Sequence, residues 1–374
     1  MPLEVSHFGG RSSAPWIIAT STLNALAPTS YQTWAFRRAE LTGFVGCPFR
    51  LPNGNPMAFS RVRQLDPRQV GPERLEALAV EGIEPLAPLL GQLAQRVKLG
   101  VVLCLPERMD PSTPEARGHR ARRRVERRVV GPFIEEGFDV LTRTITRGHA
   151  GFAYAATEVG ELIGKGTLDA ALIVGVDSLY DPFILQDLIR QRKILDAESR
   201  EGFVPGEAAS AVLLARRSVA RDLGRECLAL LEGAATNEEV ATQDNDVGML
   251  GLGLSRPAVA LVKRLKDEGR VLGRWISDAT AEPIRVQELQ YVWPRAAHLA
   301  PSGADMNVEL LPTHLGELGA ATMPTAVCIA VEGLRRNDPE GATTALVTGS
   351  SHDGSRGVLL LSAAPRTERD RTTT

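Results

Sequence analysis

GHAGFAYAATEVGELIGKGTLDAALIVGVDS, residues 148–178, is the stretch that predicts the fold of the chain. A turn of small residues opens onto a helical pattern rich in Ala and Gly, which ends at Gly164 and Gly166. The apolar run at 170–174 then ends at Gly175, as expected for a strand buried on both faces of a parallel sheet. This unit is therefore predicted to lie in the middle of a layered α/β protein.

The same succession of turn, small-residue helix and strand recurs near the C-terminus. LGELGAATMPTAVCIAVEGL at 315–334 repeats the turn and the helix, and TTALVTGSSHDG at 343–354 repeats the strand. Each copy is followed by one more apolar strand, ASAVLLAR at 209–216 and GVLLLSAA at 357–364. Self-similarity over this range indicates a duplicated supersecondary unit.

Composition limits the class of protein. The chain has 374 residues, which suits two halves of similar size, and its 43% hydrophobic and 24% charged residues are ordinary globular values. We predict halves spanning residues 1–216 and 217–374. A formal net charge of -2 gives no overall attraction to nucleic acid or to anionic membranes. Because no apolar run approaches the roughly 18 residues that span a bilayer, no membrane association is expected.

Cysteine use indicates a reducing compartment. The four cysteines form no CxxC pair and have no neighbouring histidine, which predicts neither a zinc site nor a disulfide framework; they are Cys47, Cys104, Cys227 and Cys328. We infer a cytoplasmic protein that uses no metal and no cofactor. The N-terminal sequence has no basic segment followed by an apolar one, so a secretory signal peptide is not expected.

Two further segments carry predictions. Residues 44–70 contain several Pro and Gly and are predicted to be irregular. ARGHRARRRVERR at 116–128 is the most basic segment, and it is either a solvated arginine-rich helix or mobile excursion, or a docking face for an acidic partner. No aromatic residues alternate with these arginines, which disfavours nucleic-acid binding. The candidate docking residues are Arg120, Arg122, Arg123, Arg124 and Arg127.

The order of features becomes specific at GVDSL, residues 175–179, followed by GFVPGEAASAVLL at 202–214. This order resembles the thiolase superfamily and, within it, the β-ketoacyl synthases, which have a GFV-x-GEGA turn before an apolar strand. WIIATSTLNAL at 16–26, SRPAVALVKRLKDEG at 255–269 and WISDATAEP at 275–283 extend the resemblance over most of the chain. It implies a thiolase-like five-layer αβαβα fold of duplicated βαβαβαββ halves, and usually a homodimer.

The resemblance also implies a chemistry. β-Ketoacyl synthases carry the acyl chain on a cysteine at the N-terminus of a buried helix, where backbone N–H groups and the helix dipole lower the thiol pKa and form an oxyanion hole. Two histidines from loops of the second half assist decarboxylation. In this chain His149 stands at the cysteine position, Asp278 at the first histidine and Gly316 at the second, with His314 two residues earlier. Without a thiol, covalent acyl transfer and Claisen condensation are not expected.

The neighbouring loops supply the remaining candidate residues. His352 lies near the position of the family's gating phenylalanine, and the resemblance places four ligand contacts around the acyl site: Phe203, Gly316, Ser350 and Ser351. A nucleophilic pair of Ser350 or Ser351 with His352 is disfavoured, because adjacent residues on one loop rarely point at each other. A cysteine placed at position 149 is expected to have a lowered pKa, because the helix N-terminus remains.

Three functions stay open at this point. The first is a catalytically inactive β-ketoacyl synthase-like scaffold, partnering an active ketosynthase or serving as an accessory protein beside a bacterial type VI secretion effector. The second is a non-cysteine acyltransferase or thioester hydrolase in which His149, Asp278 and His352, with His314 as a fourth candidate, act as general bases. The third is a small-molecule or acyl-chain-binding protein that uses the remaining acyl tunnel. The partners implied are a second copy, a related ketosynthase-like chain, or an acidic protein such as a carrier protein, effector or adaptor.

Overall fold

The computed structural model describes residues 3–8, 13–113, 116–196, 199–242, 245, 247–299, 307–339 and 341–365. Its strands are β1 (Glu4–His7), β2 (Trp16–Asn24), β3 (Phe44–Arg50), β4 (Pro56–Ser60), β5 (Leu99–Cys104), β6 (Val140–Ile145), β7 (Ala170–Ser178), β8 (Glu207–Ala215), β9 (Ala229–Glu238), β10 (Arg274–Ser277), β11 (Val308–Leu310), β12 (Thr344–Ser350) and β13 (Ser355–Ala363). Its helices are α1 (Ser30–Arg38), α2 (Gly71–Ile83), α3 (Ala87–Ala94), α4 (Ala116–Glu135), α5 (Gly151–Gly164), α6 (Pro182–Arg190), α7 (Arg217–Asp222), α8 (Leu252–Asp267), α9 (Pro283–Ala297), α10 (Pro312–Leu315) and α11 (Thr322–Arg335).

The strand order confirms the duplication. One five-stranded series runs β6-β5-β7-β8-β2, and the other runs β11-β10-β12-β13-β9. In each series the first three strands are parallel and the last two are antiparallel additions. Among the described strands, the two series pair where Trp16 and Ile17 of β2 lie opposite Leu230 and Ala229 of β9. The two series thus share one order of strands and one set of directions.

The layers follow from which helices contact which strands. Helices α5 and α11 contact strands of both series and form the central layer. On the outer face of the first series α2 and α4 pack together, and α8 and α9 do the same on the second. One apolar core surrounds the central helices and one lies beneath each outer pair. The predicted five-layer αβαβα fold is therefore confirmed.

Each half supplies a side-chain acceptor to the N-terminus of the other half's central helix. The main-chain N–H of Ala150, in the turn before α5, donates to Ser351 Oγ of the second half at 2.9 Å. The N–H of Ala320, in the turn before α11, donates to Asp177 Oδ2 of the first half at 3.2 Å. Because free N–H groups at a helix start require acceptors, these bonds fix each helix N-terminus against the strand ends of the other half.

The prediction for residues 44–70 is wrong in part. Strands β3 and β4 form an antiparallel hairpin there. Met57 and Phe59, two residues apart on β4, are fully buried, and they pack in a fourth apolar cluster with Tyr180 and Phe203. The alternation of these side chains, rather than the Pro and Gly content, determines the local structure.

No helix within the described residues is long and apolar enough to cross a membrane.

Candidate functional site

The candidate site lies where the carboxyl ends of strands from both halves meet. Glu107 follows β5, His149 follows β6, Asp278 follows β10 and Ser350 ends β12. Glu317 comes from the segment between α10 and α11. Parallel strands of a layered α/β protein direct their following loops to one edge, so this placement follows from the duplicated topology.

His149 is held between two carboxylates. Its Nε2 lies 2.6 Å from Oε1 of Glu317, and its Nδ1 lies 2.8 Å from Oδ2 of Asp278. The Nδ1 atom makes no hydrogen bond of good geometry, so its attraction to Asp278 is mainly that of an ion pair. The side chains of His149, Asp278 and Glu317 are each at most 4% exposed. The imidazole therefore occupies a closed, charged compartment.

These contacts set the protonation of the cluster. Burial alone would lower the pKa of His149, but the charge of Glu317 and the close contacts of the ring with Asp278 and Glu317 outweigh burial and raise it to about 10. Burial would raise the pKa of both carboxyls, but their interactions with His149 and with Arg285 lower it instead. At neutral pH the ring is an imidazolium between two carboxylates. Neither ring nitrogen keeps a lone pair to accept a proton or bind a metal.

Arg285, in the first turn of α9, completes the charge balance. Its Nη1 lies 3.4 Å from Oδ2 of Asp278 and also donates to the main-chain oxygen of Ser350. The same Asp278 oxygen accepts from the N–H of Ser350 at 2.7 Å. Two cations, His149 and Arg285, thus face two anions, Asp278 and Glu317, and these four side chains together have no formal net charge. A further buried carboxylate, that of Glu282, lies 4.0 Å from Nε of Arg285.

Glu107 and His352 lie at the rim. Both are partly exposed, and Glu107 Oε1 accepts from the main-chain N–H of His352 at 3.1 Å. The rings of His149 and His352 are 6.1 Å apart between centroids. Burial and the nearby charges of Arg285 and Lys193 hold the pKa of His352 well below its usual value, so this imidazole is neutral. Of the two histidines, His352 is the one that can accept a proton.

The predicted ligand contacts have structural partners. Phe203 is buried in the hairpin cluster. Ser351 accepts from Ala150 and donates to the main-chain oxygen of Arg147, and Ser350 is bonded through its backbone to Asp278 and Arg285. A Cβ added at Gly316 would lie 2.5 Å from the main-chain oxygen of Val204. Their role as ligand contacts stays a prediction.

His314 and Gly316 are the two remaining positions that the sequence analysis identifies. His314 lies away from the cluster, with Nδ1 3.1 Å from the main-chain oxygen of Leu41 and Nε2 3.5 Å from Glu40. The resemblance predicts Gly316 at the second histidine position, and its neighbour Glu317 is the residue that contacts His149.

Three members of the cluster were not predicted from the sequence. Glu317 is an acidic residue inside an otherwise apolar Gly/Ala turn, and that contrast is a usable signal. Glu107 follows a fully buried strand, so its position near the strand ends could have been predicted. Arg285 has no local signal, because its role depends on how α9 packs against the loop after β12.

The arginine segment forms α4, so of the alternatives predicted for it the helix is the one present. Arg124 pairs with Glu76 at 2.7 Å and Arg122 with Glu126 at 2.7 Å. Within the described residues the other three docking candidates are exposed and have no carboxylate within ion-pair distance: Arg120, Arg123 and Arg127. These three lie at i, i+3 and i+7 along α4 and so share one face of the helix.

No protein-family model and no curated protein matches the sequence. Solved structures do match. The oxazolomycin ketosynthase domain of Streptomyces albus aligns over 95% of this chain and 75% of its own, with 16% identity and a TM-score of 0.70. A type II polyketide synthase acyl-carrier protein in complex with its ketosynthase, bound to the hexaketide, aligns over 94% of this chain and 99% of the matched chain, with 14% identity and a TM-score of 0.74.

A third match is the ishigamide ketosynthase/chain length factor, which aligns over 94% of this chain and 100% of its own, with 17% identity and a TM-score of 0.68. Structural similarity at identities this low establishes the architecture and leaves the activity open. Together with the duplicated strand order, they show that this chain has the thiolase-like fold of the ketosynthases.

Proposed function

We propose that the chain is a catalytically inactive ketosynthase-like subunit that acts through its partners. The observation that carries this proposal is the state of His149. Where the resemblance requires a nucleophilic thiol, the chain has an imidazolium whose two ring nitrogens both face carboxylates. Such a group can neither attack a thioester nor take a proton from another nucleophile.

The non-cysteine acyltransferase or hydrolase is the weaker alternative. It requires general bases, and Asp278 and Glu317 are both neutralised by His149. Of the two histidines of the described site, the neutral His352 is the one that retains a lone pair for base catalysis. A water or alcohol nucleophile activated by His352 would also need a thioester bound beside it. The pKa of His352 lies well below its usual value, so this imidazole is a weak base.

We further propose that the subunit pairs through β6. This strand ends the first five-stranded series, and within the described residues its outer edge has no partner strand. Five of its six residues are only half-buried and the other is exposed. Because an open edge presents unpaired N–H and C=O groups, a second copy or a related ketosynthase-like chain can extend the sheet across a twofold axis.

The subunit proposal predicts two results for the wild-type chain. Incubation with an acyl-CoA should add no acyl mass by intact mass spectrometry, because there is no thiol at the site. Sedimentation should show a two-chain assembly. Hydrogen–deuterium exchange of that assembly should show slow exchange at the amides of β6. The amides of β11 serve as the control, because β11 ends the other series and is not proposed to pair.

A stoichiometric acyl adduct would reject the inactive-subunit proposal. A monomer in which the amides of β6 and β11 exchange equally fast would reject pairing through β6. The two readouts fail independently, since one reports on chemistry and the other on assembly.

The exposed arginines of α4 are proposed as the surface for an acidic partner, such as a carrier protein or a secretion effector or adaptor. Replacing Arg120, Arg123 and Arg127 together by Glu should lower the affinity for a purified acyl-carrier protein by at least about tenfold, because each change reverses an exposed charge. Isothermal titration at low salt measures this. Arg225→Glu, an exposed arginine outside α4, is the control. Equal affinities for the wild type and the triple variant would reject the surface.

A cytoplasmic setting is part of the same proposal, and the four cysteines, which are thiols rather than disulfides in the structure, support it.

A further inference from the structure

The side chain of Glu107 occupies an unusually close position beside Gly148. A Cβ added to Gly148 would overlap the carboxyl carbon and both carboxyl oxygens of Glu107. All three atoms are equally near that point, so the carboxylate lies flat over the glycine. Gly148 also has a φ of +47°, a backbone conformation that residues with a side chain rarely adopt. The glycine is therefore required by both the backbone and the carboxylate.

The same carboxylate is bonded from a second loop. The N–H of His352 donates to its Oε1 at 3.1 Å. His352 belongs to the loop after β12 of the second half, whereas Gly148 belongs to the turn before α5 of the first half. We call this arrangement, Gly148 beneath and the His352 N–H at one oxygen, the carboxylate cradle.

The surroundings of the cradle act on the charge of Glu107 in two opposing directions. Burial, Asp353 and Asp177 raise the pKa of this carboxyl above its ordinary value, and the positive charge of His149 offsets them only in part. Glu107 is thus held in place although its own ionisation is opposed. The carboxyl keeps this position because its hydrogen bond and its close packing offset that cost.

We propose that the cradle is a binding site for the carboxylate group of a ligand and that Glu107 is its internal occupant. A ligand carboxylate would take the place of the Glu107 side chain, accept the N–H of His352 and lie over Gly148. In the intact chain Glu107 competes at a high effective concentration, so external carboxylates are excluded until that side chain is withdrawn. This inference concerns binding alone and does not depend on whether the chain is an inactive subunit.

The test is to empty the cradle and supply a carboxylate. Glu107→Ala should bind acetate with a dissociation constant of about 1 mM, which is within the ceiling for a ligand with so few non-hydrogen atoms. The readouts are a saturable rise in Tm with sodium acetate over sodium chloride at equal ionic strength, and saturable NMR shifts of the His352 amide. The wild type and Glu107→Gln should show neither effect, because their side chains fill the cradle.

Glu107→Ala/Gly148→Ala is the matched control, because the added methyl group occupies the space that the carboxylate leaves. It should bind no acetate. Acetate binding to the double variant equal to that of Glu107→Ala, or no difference between Glu107→Ala and the wild type, would overturn the proposal.

A stability comparison keeps the proposal testable if Glu107→Ala folds poorly. Gly148→Ala alone should be strongly destabilised, since its methyl group meets the carboxylate. Adding Glu107→Ala should raise the Tm of that variant, because the overlap disappears while the φ strain remains. If the double variant has no higher Tm than Gly148→Ala, the close packing that defines the cradle is absent and the site with it.

Discussion

His149→Leu should lower the free energy of unfolding by about 3–5 kcal/mol at pH 7, the range measured when one partner of a buried ion pair is removed. Leucine keeps much of the ring's volume but leaves the carboxylate of Glu317 without its cation. Asp278 keeps Arg285 at 3.4 Å and the N–H of Ser350 at 2.7 Å, so Glu317 carries most of the cost. Denaturant unfolding with linear extrapolation measures the loss.

Two variants separate this explanation from a simple packing defect. His149→Leu/Glu317→Leu should be more stable than His149→Leu, because it removes the unpaired buried carboxylate. Arg190→Leu, which breaks an exposed ion pair with Asp187, should change stability by no more than about 0.5 kcal/mol. A loss below about 1 kcal/mol in His149→Leu, or a double variant less stable than the single one, would show that the cluster is not held together by these charges.

The pH dependence of the same comparison has a defined sign. The pKa of His149 is raised from an unfolded value near 6.5 to about 10. Its contribution is therefore complete below pH 6.5 and is lost as the pH rises towards 10. The pKa values of Asp278 and Glu317 are lowered, so their contribution is present above their unfolded values near 4 and is lost at lower pH. The stability gap between wild type and His149→Leu should be widest between about pH 5 and 6.5.

The fold could be predicted from the sequence because its signals are local and occur twice. An Ala- and Gly-rich helix followed by a fully apolar strand occurs at α5 with β7 and again at α11 with β12. Each copy is interpretable without knowledge of distant residues. The β3–β4 hairpin was missed because β4 has only five residues and begins with Pro56. Its alternation at Met57 and Phe59 is too short to outweigh the Pro and Gly content of the segment.

The site could be predicted only in part. His149 and Asp278 were identified because their positions are counted from motifs on their own segments. The same counting predicts Gly316 as the third site residue, whereas the carboxylate of the next residue, Glu317, contacts His149. Glu107 and Arg285 join the cluster through packing between elements far apart in sequence, which residue spacing does not encode. The charge state of His149 follows from all of these contacts together.

That charge state changes the expectation for a restored thiol. From the sequence, a cysteine at position 149 should be reactive, because the helix N-terminus lowers its pKa. In the structure the thiol of His149→Cys would be buried beside the carboxylates of Asp278 and Glu317 with no imidazolium between them. Burial and two neighbouring negative charges both raise a thiol pKa, and together they exceed the roughly 0.3–1 kcal/mol usual for a helix dipole.

Iodoacetamide alkylation of His149→Cys, followed by peptide mass spectrometry at each cysteine, should therefore show the introduced thiol reacting at least about tenfold more slowly than the half-exposed Cys227. Burial raises the pKa of Cys104, and it raises that of Cys328 to about 12, so neither contributes a fast background. In His149→Cys/Asp278→Asn/Glu317→Gln both negative charges are absent, and the alkylation rate of the introduced thiol should rise several-fold. Equal rates in the single and triple variants would show that closure of the compartment, rather than its charge, keeps a thiol at position 149 unreactive.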